Sequence, residues 1–215
     1  MHHLIVATRN AHKTREIQRI LGPDFAVSDL SGHPEIPEAV ESAKTFEENA
    51  VLKAIATSRQ LPDLVIADDS GLEVDALGGA PGVYSARYAG SDATDQQNID
   101  KLLRQLARTG ATENQRSARF RCVLALARDR QILGTFEGVV EGGIADLPRG
   151  RGGFGYDPVF LPKGFDQTFG ELPVGVKNRI SHRAQAIRAL RAELLAHAAD
   201  QGFGGGGGGG GAPGA

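Results

Sequence analysis

Two adjacent carboxylates follow an apolar run in the stretch VIADDSGLEV, residues 65–74. Asp68 and Asp69 repel each other, and burying either one is costly unless a cation or hydrogen bonds compensate. If the run is a strand, the two side chains point to opposite faces, so we expect one of them to serve a cleft and the other to cap a turn or pair with a base. Mg²⁺ suits such a cleft, because it takes one or two carboxylates together with water and phosphate ligands. A pair of solvated turn carboxylates is the alternative.

The segment TRNAHK, Thr8 to Lys13, follows the first apolar run and opens a helical pattern. A helix N-terminus presents free N–H groups and a positive dipole end, which suit a phosphate. Thr8 and Asn10 add hydrogen bonds, and Lys13 adds charge. No GxxxxGK[ST] pattern is present here, so the segment is not a Walker loop. From spacing alone, an ordinary Asn/Thr cap beside a solvated lysine explains the segment slightly better.

Two later segments carry aromatic and basic side chains. Residues 150–157, GRGGFGYD, match GxGxxG, but a strand is predicted to follow instead of a helix, so the match is not a dinucleotide fingerprint. Phe154 stands there on a glycine-rich loop that can approach a flat ring closely. The segment VKNRISHR brings four donors to the predicted start of the last helix: Lys177, Arg179, His182 and Arg183. Cations are unfavourable there unless an anion joins them. For the glycine-rich loop, the alternative is that Phe154 folds onto the core. For the basic segment, the alternative is a solvated basic face.

Apolar runs predict the strands that must position these groups. Residues 4–7, 25–30 and 64–69 each predict a short strand, the third ending before Gly71, and the alternating GLEVDAL that follows predicts a half-exposed strand. The stretches SARFRCVLALA and ILGTFEGVVEGGIA predict a long antiparallel pair joined near Asp129 and Arg130. GYDPVFLP predicts one more short strand.

Helical spacing appears in four places. The first helix ends at Gly22, and the second begins at a Thr45–Glu48 capping box. A third helix is predicted over residues 92–108, with Ile99, Leu102, Leu103 and Leu106 as its buried stripe, and the last helix is N-capped by Ser181. Because crossover and hairpin connections are mixed, we predict an α/β fold with a mixed central β-sheet flanked by helices.

Composition limits the classes of partner. The chain has 215 residues, a formal net charge of −2 and one cysteine, Cys122. Such a charge produces no strong field toward nucleic acid or membranes, and no apolar run approaches the ~20 residues of a membrane span. A lone cysteine fits a reducing compartment, and its apolar neighbours favour a buried structural thiol. We therefore expect a cytoplasmic protein without nucleic-acid or membrane partners. We expect one domain over residues 1–200 and a disordered glycine-rich tail over 201–215.

Five segments together resemble one family, the inosine triphosphate pyrophosphatases, also called dITP/XTP diphosphatases. They are ATRNAHK, TFEENAVLKA, ADDSGLEVDALGGAPGVYSARY, GGFGYDPVF and SHRAQA, and they span residues 4 to about 195. The resemblance implies an α/β mixed sheet with a long active-site cleft, and usually a homodimer. It also implies Mg²⁺-dependent hydrolysis of ITP, dITP and XTP to the monophosphate and pyrophosphate.

The resemblance also implies roles for individual residues. Asp69 matches the catalytic carboxylate, which positions or deprotonates water, and with Glu41 it matches the metal ligands. The triphosphate clamp corresponds to Thr8, Arg9, Asn10, Ala11, His12 and Lys13. Phosphate-binding or site-supporting roles fall on Lys53 and Ser70. The nucleotide and base pocket corresponds to Phe154, Gly155, Tyr156, Asp157, Lys177, His182 and Arg183.

Several questions remain open at this level. Many family members have glycine where this chain has Arg9, so Arg9 either adds a charge contact to phosphate or points away. Asp69 as a full metal ligand is a poor base, because a bound cation lowers the pKa of a carboxylate. The alternative functions are a pyrophosphatase for other modified nucleotides, such as pyrimidines, and a non-catalytic nucleotide sensor.

Overall fold

The computed structural model describes residues 2–37 and 39–202. Its strands are β1 (His2–Val6), β2 (Phe25–Asp29), β3 (Leu64–Val74), β4 (Ser117–Arg128), β5 (Gln131–Ile144) and β6 (Phe160–Pro162). Its helices are α1 (Ala11–Leu21), α2 (Phe46–Ser58), α3 (Asp95–Thr109), α4 (Val174–Ile180) and α5 (His182–Gly202). The predicted glycine-rich tail lies outside the described residues from residue 203 onward, whereas residues 201 and 202 belong to α5.

The described strands form one mixed sheet in the order β2-β1-β3-β4-β5-β6. β1 pairs in parallel with β2 and β3, and the pairs from β3 through β6 are antiparallel. The predicted hairpin is confirmed: Asp129 and Arg130 join β4 to β5 with positive φ angles of 49° and 68°. The predicted α/β fold with a mixed central sheet is therefore confirmed. No helix in the described part of the chain is both long and apolar enough to cross a membrane.

Helices cover both faces of the sheet, and β3 contributes side chains to each face. Ile66 packs in a cluster with residues of α1 and α5, whereas Val65 and Ala67 pack in a different cluster with residues of α2. Because side chains alternate along a strand, the next two residues continue this division. Asp68 points toward α1 and α5, and Asp69 points toward α2. The predicted separation of the two carboxylates onto opposite faces is confirmed.

The prediction that β3 ends at the two carboxylates is wrong. β3 continues to Val74 and pairs with β4 without a break, with Asp69 opposite Val123 and Gly71 opposite Arg121. Gly71 does not end the strand; it leaves space for the 3-10 helix Gly82–Arg87, since a Cβ on it would lie 2.4 Å from the Gly82 carbonyl oxygen. The half-exposed GLEVDAL segment is thus largely the second half of the same strand.

Helix boundaries agree with the predicted caps, with one helix missed. Thr45 Oγ1 accepts a hydrogen bond from the Glu48 N–H at 3.2 Å, and Ser181 Oγ accepts one from the Ala184 N–H at 3.2 Å. The basic segment, however, does not all lie at the start of the last helix. Lys177 and Arg179 belong to the separate helix α4, which ends because Ser181 is extended with ψ of 157°.

The strand predicted over GYDPVFLP is shorter than expected. Residues 155–159 form turns, and the strand β6 begins only at Phe160. The Tyr156 carbonyl oxygen accepts hydrogen bonds from the N–H groups of both Val159 and Phe160, while Pro158 has no N–H to donate. The turn keeps residues 154–157 next to the cleft.

Candidate active site

Two adjoining cavities form the predicted cleft. The first, which we call the polar cavity, has a volume of about 470 Å³ and is lined by polar side chains that include Thr8, Asn10, Lys13, Glu41, Lys53 and Arg87, and by Asp68. The second, the aromatic cavity, measures about 140 Å³ and is lined by residues that include Ser70, Phe120, Phe154, Gly155, Tyr156, Asp157, Lys177, His182 and Arg183. Asn10 and Lys13 line both cavities, so the two lie next to each other.

The start of α1 places Lys13 between the two cavities. Asn10 is the N-cap, and its Oδ1 accepts hydrogen bonds from the N–H groups of His12 at 2.9 Å and Lys13 at 3.4 Å. The Lys13 ammonium donates to Asp68 Oδ1 at 2.5 Å, and its side chain is 17% exposed. The Asn/Thr cap is therefore present, but the solvated lysine expected beside it is not.

The residues on either side of Asn10 make contacts in different parts of the structure. Arg9 points away from the polar cavity, because its guanidinium donates to the carbonyl oxygens of Ile36 at 2.7 Å and His33 at 3.4 Å. The His12 ring stacks against Phe154 with centroids 5.4 Å apart. Ala11 begins α1 and is exposed. Of the two predictions for Arg9, the structure supports the one in which it points away.

A chain of charges leads from Asp69 to the rim of the polar cavity. The Lys53 ammonium donates to Asp69 Oδ1 at 3.2 Å, to Glu41 Oε1 at 2.6 Å and to the Asp68 carbonyl oxygen at 2.7 Å. Arg87 donates to Glu41 Oε2 at 2.7 Å. Asp69 is 4% exposed, so the alternative of a solvated turn carboxylate is wrong.

Asp69 retains one carboxylate oxygen for further chemistry. Its Oδ2 is buried and has no hydrogen-bond partner among the described residues. Burial raises the pKa of Asp69 to about 6, because the nearby Glu41 charge adds to desolvation and the Lys53 charge only partly offsets them. Burial alone would raise the pKa of Glu41 as well, but the Lys53 charge and the hydrogen bonds from Lys53 and Arg87 lower it to about 2.

The donor set around Lys53 fits a divalent cation bound together with phosphate. Glu41 and Asp69 both contact the Lys53 ammonium, so the two carboxylates surround one region of positive charge. Asp69 Oδ2 is an unpaired anionic oxygen beside it. No group of three or more His, Cys, Asp or Glu side chains in the described residues suits a metal on its own. Two carboxylates are enough for Mg²⁺ when the substrate supplies further oxygens.

The raised pKa of Asp69 leads to a measurable prediction. In the metal-free protein, the Asp69 carboxyl is expected to bind a proton as the pH falls through about 6, two units above an ordinary aspartate. A ¹³C NMR titration of side-chain carboxyl groups would show this midpoint, and the Asp69→Asn variant would assign the signal. A midpoint below 4 would contradict the environment described here.

Asp68 forms a fully buried centre on the opposite face of β3. Its Oδ2 accepts hydrogen bonds from the Arg183 Nε at 2.8 Å and the Cys122 thiol at 3.3 Å, and its Oδ1 accepts from Ser70 and Lys13. Burial would raise the pKa of Asp68, but the charges of Arg183 and Lys13 hold it well below its ordinary value. Burial and the Asp68 charge raise the pKa of the Cys122 thiol, as expected for a buried structural cysteine.

Glu16 joins this centre to the aromatic cavity, and sequence reasoning missed it. Its two carboxylate oxygens accept hydrogen bonds from Lys177 at 2.8 Å and Arg183 at 2.5 Å. These partners are 161 and 167 residues away in the chain, so no local pattern joins them. The sequence does contain one indication that Glu16 lies near the site. It follows Lys13 by three residues, which places both side chains on one face of α1.

The wall of the aromatic cavity brings together most of the predicted base-pocket residues. Lys177 and Arg183 lie over the Phe154 ring at 5.0 and 5.5 Å from its centroid. Lys177 also donates to Asp157 Oδ2 at 2.6 Å. The fourth basic residue of that segment, Arg179, is exposed. The solvated-face alternative is thus wrong for the three cavity residues and correct for Arg179.

His182 is a second buried group with spare hydrogen-bonding capacity. Its ring stacks on Phe120 with centroids 4.7 Å apart, and its Nδ1 has no partner among the described residues. Burial and the charge of Arg183 hold the pKa of His182 well below its usual value, so the ring is neutral. Tyr156 is anchored by its hydroxyl to the Ser85 carbonyl oxygen at 2.8 Å, and the Gly155 N–H donates to Asp95 Oδ2 at 2.7 Å.

Comparison with known proteins gives a consistent result over nearly the whole chain. The model of the Ham1 family matches residues 4–193. A dITP/XTP pyrophosphatase of Bacillus licheniformis is 52% identical over 195 residues, which cover 90% of this chain and 98% of that protein. The Bacillus subtilis dITP/XTP pyrophosphatase is 49% identical over 191 residues, covering 88% and 96% of the two chains.

Solved structures agree with these relatives. The Ham1 protein of Staphylococcus aureus superposes with a TM-score of 0.79 at 41% identity, covering 91% of this chain and 99% of its own. A HAM1 protein from Coxiella burnetii gives a TM-score of 0.81 at 40% identity, covering 91% and 100%. With the matched model, these likenesses confirm the family resemblance found in the sequence. This chain belongs to the Ham1 family.

Proposed function

We propose that this protein hydrolyses deaminated purine nucleoside triphosphates (ITP, dITP and XTP) to the monophosphate and pyrophosphate. The observation that carries the proposal is Asp69, a buried carboxylate with a free oxygen, whose partner Lys53 lines a polar cavity that adjoins an aromatic one. Its relatives bear the name dITP/XTP pyrophosphatase. Such an activity removes these nucleotides from the pool before they are incorporated into DNA or RNA.

In this proposal the triphosphate occupies the polar cavity. Lys13 and Lys53 supply positive charge there, and Thr8 and Asn10 present the start of α1. Both lysines are held by carboxylates, so the substrate meets cations whose positions are already set. Ser70 ties Asp68 to Arg183 at the passage into the aromatic cavity, which supports the phosphate side of the site.

Asp69 acts as the general base. Its free Oδ2 orients a water molecule and accepts a proton as the water oxygen attacks the anhydride between the α- and β-phosphates. The P–O bond of that anhydride breaks, and pyrophosphate leaves. Glu41 would hold Mg²⁺ directly and Asp69 would hold it through an outer-sphere or shared contact, which leaves the Asp69 carboxylate basic; the cation would neutralise phosphate charge and acidify bound water. A pKa of about 6 keeps the metal-free Asp69 ionised at neutral pH yet basic enough to take a proton.

The base is proposed to lie in the aromatic cavity between Phe154 and the His182 side. A deaminated purine carries a 6-oxo acceptor where adenine carries an amino donor. A neutral His182 with an unpartnered nitrogen, or a backbone N–H of residues 154–157, can pair with that edge. Arg183 is less available than the sequence implied, because all three of its nitrogens already donate to protein oxygens. A mismatched amino group leaves a buried donor unpaired, which discriminates by up to about 10⁴-fold in favourable sites.

A substrate panel tests this function. With Mg²⁺, pyrophosphate release from dITP, ITP and XTP is expected to exceed that from dATP and modified pyrimidine triphosphates by at least about 100-fold in kcat/KM. Preference for the pyrimidine triphosphates would instead identify a pyrophosphatase for other modified nucleotides. Tight binding of ITP without any pyrophosphate release would identify a nucleotide sensor.

Assembly and location remain proposals of the same kind. We propose a homodimer in the cytoplasm, without nucleic-acid or membrane partners. The lone buried cysteine supports the location, and the net charge of −2 supports the absence of nucleic-acid and membrane partners. The homodimer rests on the family resemblance.

A further inference from the structure

Arg87 is a charged residue of the polar cavity that the proposed mechanism does not use. It ends the 3-10 helix Gly82–Arg87, and its guanidinium lies 5.3 Å from the centre of the Tyr84 ring. Its Nη1 donates to Glu41 Oε2 at 2.7 Å, and its Nη2 donates to the Glu41 carbonyl oxygen at 3.2 Å. The side chain is 30% exposed and lines the cavity together with Lys13 and Lys53.

Arg87 competes directly with any cation for Glu41. One carboxylate oxygen of Glu41 accepts a hydrogen bond from Lys53 and the other accepts one from Arg87. Each oxygen keeps a second lone pair, but a divalent cation bound there is repelled by the adjacent ammonium and guanidinium charges, so metal binding favours the departure of one of these two donors. Lys53 is 8% exposed and donates two further hydrogen bonds, to the Asp68 carbonyl oxygen and to Asp69 Oδ1. Arg87 is the more exposed of the two donors. Arg87 is therefore the partner that leaves.

A released Arg87 needs a new anion, and a triphosphate supplies one in the same cavity. A guanidinium presents N–H donors in a planar fork that matches two phosphate oxygens. The Tyr84 ring lies beside the guanidinium, and Ala86 and Arg87 of the 3-10 helix both line the polar cavity. The exchange also balances charge, because the metal ion neutralises Glu41 while the phosphates neutralise Arg87.

We propose that Arg87 is a substrate-binding residue, which exchanges Glu41 for phosphate oxygens of the nucleoside triphosphate when Mg²⁺ binds Glu41. This inference rests on the proposed function. In the free protein, Arg87 thus neutralises the Glu41 carboxylate, as the metal does in the complex. In the complex, it binds phosphate as a third cation beside Lys13 and Lys53.

The exchange predicts opposite effects on two ligands when Arg87 is changed to Gln. Binding of Mn²⁺ alone, used as a probe of the metal site and followed by electron paramagnetic resonance, is expected to tighten severalfold, because a competitor for Glu41 is gone. Binding of inorganic tripolyphosphate with Mg²⁺, measured by calorimetry, is expected to weaken by about tenfold or more, the usual size for a lost charge-assisted hydrogen bond.

The matched control is Arg108→Gln, which removes the same charge from an exposed position on α3. Arg87→Lys serves as a second full-length variant in case Arg87→Gln does not fold. It retains one positive charge without the fork, so its Mn²⁺ and tripolyphosphate affinities are expected to lie between those of the wild type and Arg87→Gln.

A purely structural tether between Arg87 and the loop carrying Glu41 gives a different result. Loss of the tether would weaken Mn²⁺ binding, or leave tripolyphosphate affinity equal to that of Arg108→Gln, and either outcome overturns the exchange. Failure of the proposed function is distinguishable, because the wild-type protein would then release no pyrophosphate from dITP, ITP or XTP, whatever the Arg87 variants bind.

Discussion

Replacing Asp69 with asparagine is expected to lower pyrophosphate release from dITP and XTP by at least about 100-fold, the lower end of what a general base contributes. Asparagine preserves the shape of the side chain but removes the charge and the ability to accept a proton. Asp69 Oδ2 has no partner among the described residues, and the amide oxygen of asparagine can still accept the Lys53 hydrogen bond while Glu41 remains the anionic partner of Lys53. Steady-state pyrophosphate release at pH 8 with saturating Mg²⁺ measures the effect.

The same variant is not expected to be less stable than the wild type. The pKa of Asp69 is raised to about 6, so the folded state favours the protonated carboxyl, and its favourable contribution is lost as the pH rises through 6. At pH 8 the neutral asparagine avoids the cost of a buried charge. The melting temperature of Asp69→Asn should therefore equal or exceed that of the wild type. Low activity then reflects chemistry and not unfolding.

A surface carboxylate provides the control for this measurement. Asp166→Asn changes the same groups at an exposed position after β6 and is expected to leave turnover unchanged. If Asp69→Asn retains wild-type turnover, the catalytic role assigned to Asp69 is wrong. If Asp166→Asn loses as much activity as Asp69→Asn, the loss reflects overall charge and not the site.

The sequence predicted those parts of the fold that depend on local patterns. Apolar runs and alternation located the strands, and side-chain caps located helix starts, as at Thr45 and Ser181. The errors arose where a distant part of the chain decides the local structure. Gly71 looked like the end of a strand, yet its missing side chain accommodates the 3-10 helix that begins at Gly82. A local sequence pattern contains no information on which distant segment packs against Gly71.

The same distinction applies to the candidate site. Lys13, Glu41, Lys53 and Asp69 lie together as the family resemblance implied. Glu16 and Arg87 were missed, because each acts through a partner far away in the chain. Glu16 resembles an ordinary exposed acid on an amphipathic helix, and only the folded chain brings Lys177 and Arg183 to it.

Replacing Asp68 with asparagine is expected to have the largest effect on stability, because Asp68 compensates the buried Arg183 and the partly buried Lys13. Its side chain is fully buried and accepts hydrogen bonds from Lys13, Ser70, Cys122 and Arg183. Removing one partner of a buried ion pair typically costs about 3–5 kcal/mol, since the remaining charge is left without compensation. Among the described residues, Arg183 would keep Glu16 as its one anionic partner. Urea unfolding followed by circular dichroism would measure the loss in free energy of unfolding.

An exposed ion pair gives the matched comparison. Asp24 pairs with Arg191 at 2.9 Å, with the Asp24 side chain 59% exposed. Water screens such a pair, so Asp24→Asn is expected to change the free energy of unfolding by less than about 1 kcal/mol. A similar loss in the two variants would mean that Asp68 has no special role in compensating Lys13 and Arg183.

The pH dependence separates the buried charge from the shape of the Asp68 side chain. The pKa of Asp68 is held well below its ordinary value of 3.8, so its stabilising contribution is complete above that value. As the pH falls below about 4, the unfolded chain binds a proton that the folded chain does not, and the contribution is progressively lost. The difference in stability between the wild type and Asp68→Asn should therefore stay constant from pH 8 to 5 and narrow in more acidic solution. A difference that persists unchanged to the lowest pH at which both proteins fold would instead point to lost packing, because packing does not depend on the ionisation of the carboxylate.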